Sequence, residues 1–418
     1  MANVLHTYWT RVRLFSSNAR LYLASIILTG AALGIYRLLF NFYVLSLNMD
    51  ANVVGQLTST NSMTALILAV PMGYLADTLG RKKAFIIGGL VLCMSIAGIV
   101  LWPFKGVLFA MSVLSGAAQS LSAVTMSPFL LENSGAEERT YLFSLASGAQ
   151  MTASFVGNSI GGNLPSWIAR QQGFSPTSSM AYAGALAIVA LVALVGLAPF
   201  LFMKMPQLKR SERALFAPFA YAAKEPKLLG KLILPMLVTS IGAGLFMPFM
   251  NVFFRVVYHQ SDPVIGNIMA WGALAMGIGL VIAPPIADRM GKIQLVVITQ
   301  GLSIPFLAML GFAPWFWLSG MAYYVRIALM NMSGPVYQTF VMERVEPGAR
   351  ATVASLVSMA NNFGYAFSPS ISGWLQVRYG FGPVFACVLV LYTISVYLYW
   401  KFFWGVKTAG VLVPAPVD

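Results

Sequence analysis

The feature that most constrains this chain is a series of about twelve apolar runs, each long enough to cross a bilayer. They lie near residues 20–47, 53–76, 84–103, 107–132, 141–167, 178–203, 230–258, 263–287, 293–312, 316–343, 351–378 and 382–406. A spanning helix needs roughly 20 apolar residues, and backbone in lipid must satisfy its hydrogen bonds internally. Runs of this length predict helices rather than the short strands of a membrane barrel. We therefore expect an all-α membrane protein with twelve transmembrane helices.

Composition narrows the class further. Hydrophobic residues make up 58% of the 418 residues and charged residues only 9%, so a soluble globular domain is excluded. The net charge of +14 would suggest nucleic acid as a partner of a soluble protein, but here the location of the cations matters more than their sum. We expect membrane lipids and a small-molecule substrate as partners, and no nucleic acid. The two cysteines, Cys93 and Cys387, lie in separate apolar runs without a CxxC motif or a neighbouring histidine. We therefore predict no metal site and no cofactor.

Positive charges are distributed unevenly between the two sides of the predicted bundle. With a cytoplasmic N-terminus, that face receives Arg11, Arg13, Arg20, Arg81, Lys82, Lys83, Arg139, the cations between Lys204 and Lys231, Arg289, Lys292, Arg344, Arg350, Lys401 and Lys407. The opposite face receives Lys105, Arg170, Arg378 and Arg255. Because cytoplasmic loops carry an excess of Lys and Arg, we expect both termini in the cytoplasm. The brief external loops favour a prokaryotic plasma (inner) membrane.

A short hydrophilic turn occurs twice, once in each half of the chain. The first reads Gly73-Tyr-Leu-Ala-Asp77-Thr-Leu-Gly80-Arg81-Lys82-Lys83, and the second reads Pro284-Pro-Ile-Ala-Asp288-Arg-Met-Gly291-Lys292. Asp77 and Asp288 are 211 residues apart, and so are the acidic helix ends Glu132 and Glu343. Such a repeat is typical of duplicated membrane proteins and predicts two pseudo-symmetric six-helix bundles.

One long hydrophilic stretch separates six runs from the other six. We therefore divide the chain into an N-terminal six-helix half (residues 1–203), a cytoplasmic linker (residues 204–229) and a C-terminal six-helix half (residues 230–418).

The fifth run contains closely spaced small residues, Gly157-Asn158-Ser-Ile-Gly161-Gly162. The matching stretch of the second half reads Ser368-Pro369-Ser-Ile-Ser-Gly373. In lipid, apolar area gives helices little drive to associate, and small residues allow close backbone packing instead. We therefore predict that Gly157, Asn158, Gly161 and Gly162 are helix-packing positions.

These features together resemble the major facilitator superfamily (MFS) over about residues 15–406. The loop signature of that family, G-x-L-a-D-r-x-G-r-k, is matched by Gly73, Leu75, Ala76, Asp77, Gly80, Arg81 and Lys82, with Thr78 in place of a basic residue. The resemblance implies a charged network between this loop and an acid at the end of helix four, where Glu132 lies, that latches the outward-facing state. The gating residues implied are Gly73, Asp77, Gly80, Arg81, Glu132, Arg139, Asp288 and Glu343.

The helix-five glycines resemble those of a bacterial drug-efflux branch of the family. Its antiporter signature ends in G-P-x-x-G-G, and Asn158 replaces the proline here. The basic residue that such antiporters often carry within helix four is absent, since Gln119 and Ser120 are the polar residues there. These departures weaken the prediction of an exporter.

The resemblance also implies a central cavity, lined mainly by helices one, four, seven and ten with contributions from five and eleven. Its candidate substrate-binding residues are Arg37, Asn41, Gln119, Gln150, Asn251, Arg326, Asn331 and Asn361. Arg326 and Asn331 are separated by about 140° around a helix, so both cannot face the cavity squarely.

No Asp or Glu lies within any span, whereas Arg37 and Arg326 lie near the middle of helices one and ten. An arginine at this depth costs about 2.5–3.5 kcal/mol and therefore usually faces a cavity or a partner. Its planar fork suits a carboxylate or phosphate, which indicates an anionic ligand. The alternative is that both arginines bind helix carbonyls, asparagines or water and serve only packing.

The leading hypothesis is a secondary active transporter that moves a small organic or amphipathic anion by alternating access, acting as a monomer. The first alternative is a polyspecific, proton-coupled multidrug efflux pump. This alternative is disfavoured because no Asp or Glu lies within a span and arginine does not titrate. We keep protons as a candidate coupling ion. The alternative of another class is a non-transporting membrane receptor or scaffold. We do not expect the protein to be an enzyme, since no nucleophile–base pair or phosphate loop is visible in the sequence.

Overall fold

The computed structural model describes residues 12–135, 138–204, 225–345 and 350–405, and these residues form helices without any strand. Twelve long helices follow one another along the described chain. They are α1 (Ser17–Ser46), α2 (Ala51–Leu79), α3 (Arg81–Leu101), α4 (Lys105–Glu132), α5 (Arg139–Gln172), α6 (Ser179–Val195, extended by the short helix Ala198–Leu201), α7 (Pro226–Phe246, continued through the 3-10 turn Met247–Phe249 into Met250–Tyr258), α8 (Asp262–Met290), α9 (Lys292–Phe312), α10 (Phe316–Glu343), α11 (Arg350–Tyr379) and α12 (Phe381–Phe403).

Nine of the helices in the described ranges are long and apolar enough to cross a membrane. The three that fall below this threshold are α5, α10 and α11, which the family resemblance assigns to the lining of a central cavity. Helices that line a water-filled cavity need not be uniformly apolar. The predicted all-α fold of twelve helices is confirmed. Most of the predicted linker, residues 205–224, lies outside the described residues, and α7 already begins at Pro226.

In the described ranges three single-residue turns join consecutive helices without a loop: Gly80, Gly291 and, between α11 and α12, Gly380. The first two belong to the repeated motif. Gly80 has φ 81° and Gly291 has φ 98°, in the region that residues with a Cβ rarely adopt. Each residue ends one helix and begins the next, so α3 follows α2 directly and α9 follows α8 directly. The glycine of the repeated motif is therefore required by backbone geometry in both halves.

The two ends of the molecule differ in how the halves contact each other. The motif end carries the turns at Gly80 and Gly291, and the closed end carries the connections 47–50, 173–178 and 259–261. At the closed end one hydrophobic cluster combines residues of both halves, including Phe42, Val54 and Phe253. At the motif end the clusters are separate: those around Phe129 and Ala76 belong to the first half, and the one around Phe340 belongs to the second. The halves therefore meet at the closed end and diverge toward the motif end.

Helix α2 shows this divergence along its own length. Its buried residues are Val53, Val54, Gly55, Leu57 and Ser59 in the first turns, and then only Ala76 near its end. The intervening residues face the widening space between the halves or the surroundings of the bundle.

The largest contacts between the halves are made by two pseudo-symmetric helix pairs, α2 with α11 and α5 with α8, and α1 also contacts the second part of α7. A Cβ on Gly55 would overlap the carbonyl oxygen of Pro369, and a Cβ on Gly266 would lie 2.6 Å from that of Asn158. Gly55 and Gly266 are 211 residues apart, as are Asn158 and Pro369. The same crossing therefore occurs twice, with backbone against backbone.

The predicted helix-packing residues lie at these crossings or beside them. A Cβ on Gly162 would lie 2.6 Å from the carbonyl oxygen of Asp262, across the interface between the halves. A Cβ on Gly157 would overlap the carbonyl oxygen of Ala31, and one on Gly161 would lie 3.1 Å from Ile35. Gly157 and Gly161 therefore pack α5 against α1 within the N-terminal half, whereas Asn158 and Gly162 pack α5 against α8.

Candidate functional site

Arg37 is a charged residue of α1 that is exposed in the space between the two halves. Its neighbours Tyr36 and Leu38 are buried, whereas Arg37 itself is exposed. Arg37 lies within electrostatic range of Tyr365 on α11 of the other half, so it faces the space between the halves rather than lipid. Among the described residues, its guanidinium makes no hydrogen bond to the protein. The side chain is therefore free to bind a ligand.

The other predicted binding residues that remain accessible belong to α4, α5, α10 and α11. Asn361 is exposed, whereas Gln119, Gln150 and Asn331 are half-buried. Gln119 donates to Ser115 Oγ at 3.1 Å and to Asn61 Oδ1 at 3.5 Å. Asn331 donates to the carbonyl oxygen of Ile327 on its own helix. Gln150 lies against α1, where a Cβ on Gly30 would come 2.7 Å from its amide nitrogen.

Arg326 departs from the expectation that it lines an open cavity, because it is only 1% exposed. Its guanidinium carbon lies 4.3 Å from the ring centre of Phe246 and 5.2 Å from that of Tyr392, so α7 and α12 cover it. Helix periodicity predicts the angle between Arg326 and Asn331 around α10. It does not predict which of the two side chains faces the cavity. The long arginine side chain also stacks readily on aromatic rings.

Asn41 and Asn251 are a second departure, because they are buried and bind each other instead of facing a cavity. Asn41 Nδ2 donates to Asn251 Oδ1 at 2.9 Å and to the carbonyl oxygen of Pro248 at 2.6 Å. Asn251 Nδ2 donates to the carbonyl oxygen of Leu38 at 2.7 Å. Leu38 and Pro248 are themselves 210 residues apart, so the two asparagines form a reciprocal bridge at the pseudo-twofold axis. We call these four residues the asparagine bridge.

A charged cluster at the closed end escaped the sequence analysis. Arg255 forms an ion pair with Asp262 and donates to the Tyr182 hydroxyl, which donates in turn to the second Asp262 oxygen at 2.6 Å. The Arg255 guanidinium also lies 3.3 Å from the ring centre of Phe42. Tyr182 and Phe42 belong to the first half, whereas Arg255 and Asp262 belong to the second. The sequence signal for this cluster was a cation near the end of one helix, Arg255, followed seven residues later by an acid at the start of the next helix, Asp262.

At the motif end, Arg81 lies between two carboxylates of its own half. Its Nη1 donates to Asp77 Oδ1 at 2.6 Å, and its Nε and Nη2 donate to Glu132 Oε1 at 3.1 and 3.0 Å. The arginine fork thus connects the ends of α2 and α4 to the start of α3. Gly73 is half-buried, and a Cβ there would meet no atom within 4 Å. Whether this network gates transport stays a prediction.

The second half repeats the arrangement only in part. Lys292 and Glu343, each 211 residues beyond Arg81 and Glu132, form an ion pair. Asp288, the counterpart of Asp77, is exposed and forms no ion pair among the described residues. A lysine carries one point charge and cannot hold two carboxylates as an arginine fork does. The side chain of Arg139 lies outside the described residues.

Two six-helix halves that enclose a polar space and touch at one end define a membrane transporter. The chain belongs to the Major Facilitator Superfamily, whose family model matches residues 22–369 and residues 232–413. The resemblance seen in the repeated turn is thereby confirmed. The family and fold are those of transporters, which are not enzymes.

Two bacterial proteins and one solved structure illustrate the relationship. The multidrug resistance protein MdtG of Enterobacter lignolyticus (strain SCF1) is 23% identical over 404 residues, which cover 93% of this chain and 92% of that protein. MdtG of Proteus mirabilis (strain HI4320) is 22% identical over 348 residues, covering 81% and 82%. The nucleoside transporter NupG shares the fold with a TM-score of 0.74 at 17% identity, covering 94% of this chain and 100% of that chain.

Proposed function

We propose that this protein is a secondary active transporter that moves a small organic or amphipathic anion across a bacterial inner membrane by alternating access. The supporting observation is Arg37, an exposed guanidinium without a hydrogen-bond partner among the described residues. It lies between halves whose spans contain no carboxylate except at helix ends. An arginine in such a position is best neutralised by an anionic ligand. One chain supplies both halves of this space, so a monomer suffices.

We further propose that the motif end faces the cytoplasm, because most cations of the sequence flank that end. The structure would then be the state open to the cytoplasm. Opening toward the outside requires the closed end to separate and the motif end to meet. The network of Asp77, Arg81 and Glu132 is our candidate for the latch of that second state.

The second candidate function is polyspecific, proton-coupled multidrug efflux, which the names of the two MdtG relatives favour. Proton coupling needs a group that titrates, and no carboxylate lies in the middle of a span. Under this alternative the protons would have to be carried by Asp77, Glu132 or the substrate. We therefore rank it second.

The test is ligand-induced thermal stabilisation of the purified protein. Octanoate, octanol and octylamine provide an anion, a neutral compound and a cation of matched chain length. Because a hydrogen bond to a charged group contributes about 1.5–3 kcal/mol, Arg37→Gln should weaken octanoate binding roughly 10- to 100-fold. Arg378→Gln is the matched control, since Arg378 is an exposed arginine stacked on Trp374 at the closed end.

We expect octanoate to raise the melting temperature of the wild type and of Arg378→Gln but not of Arg37→Gln. Stabilisation by octylamine or octanol that survives Arg37→Gln would contradict the anion proposal. Multidrug efflux would then be the better-supported function.

A further inference from the structure

Arg326 is a buried cation with two donors left without acceptors. Its Nε and Nη2 have no hydrogen-bond partner among the described residues, and Nη1 reaches the Met247 sulfur at 3.9 Å. The rings of Phe246 and Tyr392 attract the charge, and the Tyr392 hydroxyl lies within hydrogen-bonding range of the guanidinium. Unpaired buried donors are costly and therefore rare. This arrangement indicates that an acceptor outside the protein completes the site.

The two central arginines converge on one residue. Tyr365 of α11 lies within electrostatic range of both Arg37 and Arg326. Arg37 belongs to the first half and Arg326 to the second, so each half contributes one cation to the surroundings of Tyr365.

Two of the residues that cover Arg326 lie where helix α7 is interrupted. Phe246 is the last residue of the first part of α7, and Met247 begins the 3-10 turn that interrupts it. Discontinuous helices, whose ends and unwound backbone leave polar groups free, form substrate sites in several transporter folds. A thioether is also a weak acceptor, which a carboxylate readily replaces.

We propose that Arg326 is a second anion-binding residue, uncovered when the halves close on a ligand, and that the transported solute carries two anionic groups. The inference rests on the proposed function and names its substrate class as dicarboxylates. One carboxylate binds Arg37, and the second replaces the Met247 sulfur at Arg326. Binding then neutralises both central cations.

The experiment compares octanedioate with octanoate, which differ by one carboxylate at equal chain length. Both are titrated by thermal stabilisation against wild type, Arg37→Gln, Arg326→Gln, Arg326→Lys and the control Arg378→Gln. In the wild type and the control, octanedioate should bind about 10-fold or more tightly than octanoate, as expected for one added charge-assisted contact. Arg326→Gln should remove this preference by weakening octanedioate about 10-fold more than octanoate. Arg37→Gln should weaken both ligands.

Arg326→Lys separates contact from charge, because lysine keeps the charge but lacks the fork. Retention of the full diacid preference in Arg326→Lys would show that only the charge acts, which overturns direct bidentate binding. If Arg326→Gln does not fold, the wild-type comparison and Arg326→Lys still carry the test. Equal binding of both acids to the wild type, with octanoate still dependent on Arg37, would overturn this inference and leave the proposed function standing. Failure of both acids to bind would overturn both proposals.

Discussion

At the scale of single residues, the asparagine bridge shows how a duplicated sequence closes one end of its own fold. Asn41 and Asn251 occupy equivalent positions, and each donates to a backbone carbonyl of the opposite half. Residues related by a twofold axis meet their own counterparts at that axis. A polar residue repeated in both halves near the axis is therefore explained by the contact between the halves.

We predict that Asn41→Ala and Asn251→Ala each destabilise the closed end. Each substitution leaves buried polar groups unpaired, which typically costs about 1–3 kcal/mol. The double variant should lose less stability than the sum of the two single variants, because the same bridge is broken in each case. The measurement is the melting temperature of the purified variants.

Asn362→Ala is the control for the asparagine bridge, since Asn362 is exposed and bonds only to the Ser358 carbonyl oxygen of its own helix. Its melting temperature should stay close to that of the wild type. Strictly additive losses for Asn41 and Asn251 would contradict the reciprocal role of the bridge.

At the scale of helices, the interface between the halves depends on backbone contact at small residues. We predict that Gly55→Ala and Gly266→Ala both lower the melting temperature, because each added Cβ meets a carbonyl oxygen of the opposite half. Gly148→Ala in α5 is the matched control, since a Cβ there meets no atom within 4 Å. Alanine favours helix over glycine by about 1 kcal/mol, so the control should be neutral or stabilising. Equal effects at all three sites would indicate that helix propensity, and not the interface, determines the result.

The helices themselves were largely predictable from the sequence, whereas the contacts between them were not. Bilayer thickness dictates the length of an apolar run, so the run 20–47 predicts α1 (Ser17–Ser46) within a few residues. The break at Met247–Phe249 lies inside the single predicted run 230–258 and was missed. Hydropathy reports burial in lipid and is insensitive to a local change of helix type. The Pro248 within that run was the available signal.

The candidate site was only partly predictable for a related reason. Periodicity places Arg37, Asn41 and Arg326 on particular helix faces, but the angle between the halves decides what each face meets. Arg37 meets open space, Asn41 meets Asn251, and Arg326 meets aromatic rings. That angle depends on contacts more than 200 residues apart in sequence, such as Gly55 with Pro369.

At the scale of the whole molecule, one hydrophobic cluster joins the halves at the closed end, whereas each of the three clusters toward the motif end belongs to one half. Polar contacts also lie across the closed end, among them the asparagine bridge and the pairing of Tyr182 with Asp262. Opening this end must therefore break several buried contacts together. Ligand binding between the halves would have to supply the compensating free energy, as alternating access requires.

We predict that the two ends label from opposite sides of the membrane. Cys93 and Cys387 are first replaced by serine, and single cysteines are then introduced at Thr78, at Ser175 and at Ser59. Thr78 is exposed at the motif end, Ser175 is exposed at the closed end, and Ser59 is buried there. With the motif end in the cytoplasm, a membrane-impermeant maleimide should label Ser175→Cys in intact cells and Thr78→Cys only in inverted vesicles.

Ser59→Cys tests the movement itself, because Ser59 accepts a hydrogen bond from the Ser370 amide across the closed end at 3.0 Å. It should resist the maleimide in the state seen here. Asn41→Ala in the same protein weakens the closed end and should make Ser59→Cys reactive from outside, without changing the labelling of Ser175→Cys. Labelling of Thr78→Cys in intact cells would reverse the orientation. Reactivity of Ser59→Cys that does not respond to Asn41→Ala would mean that the asparagine bridge does not hold this end shut.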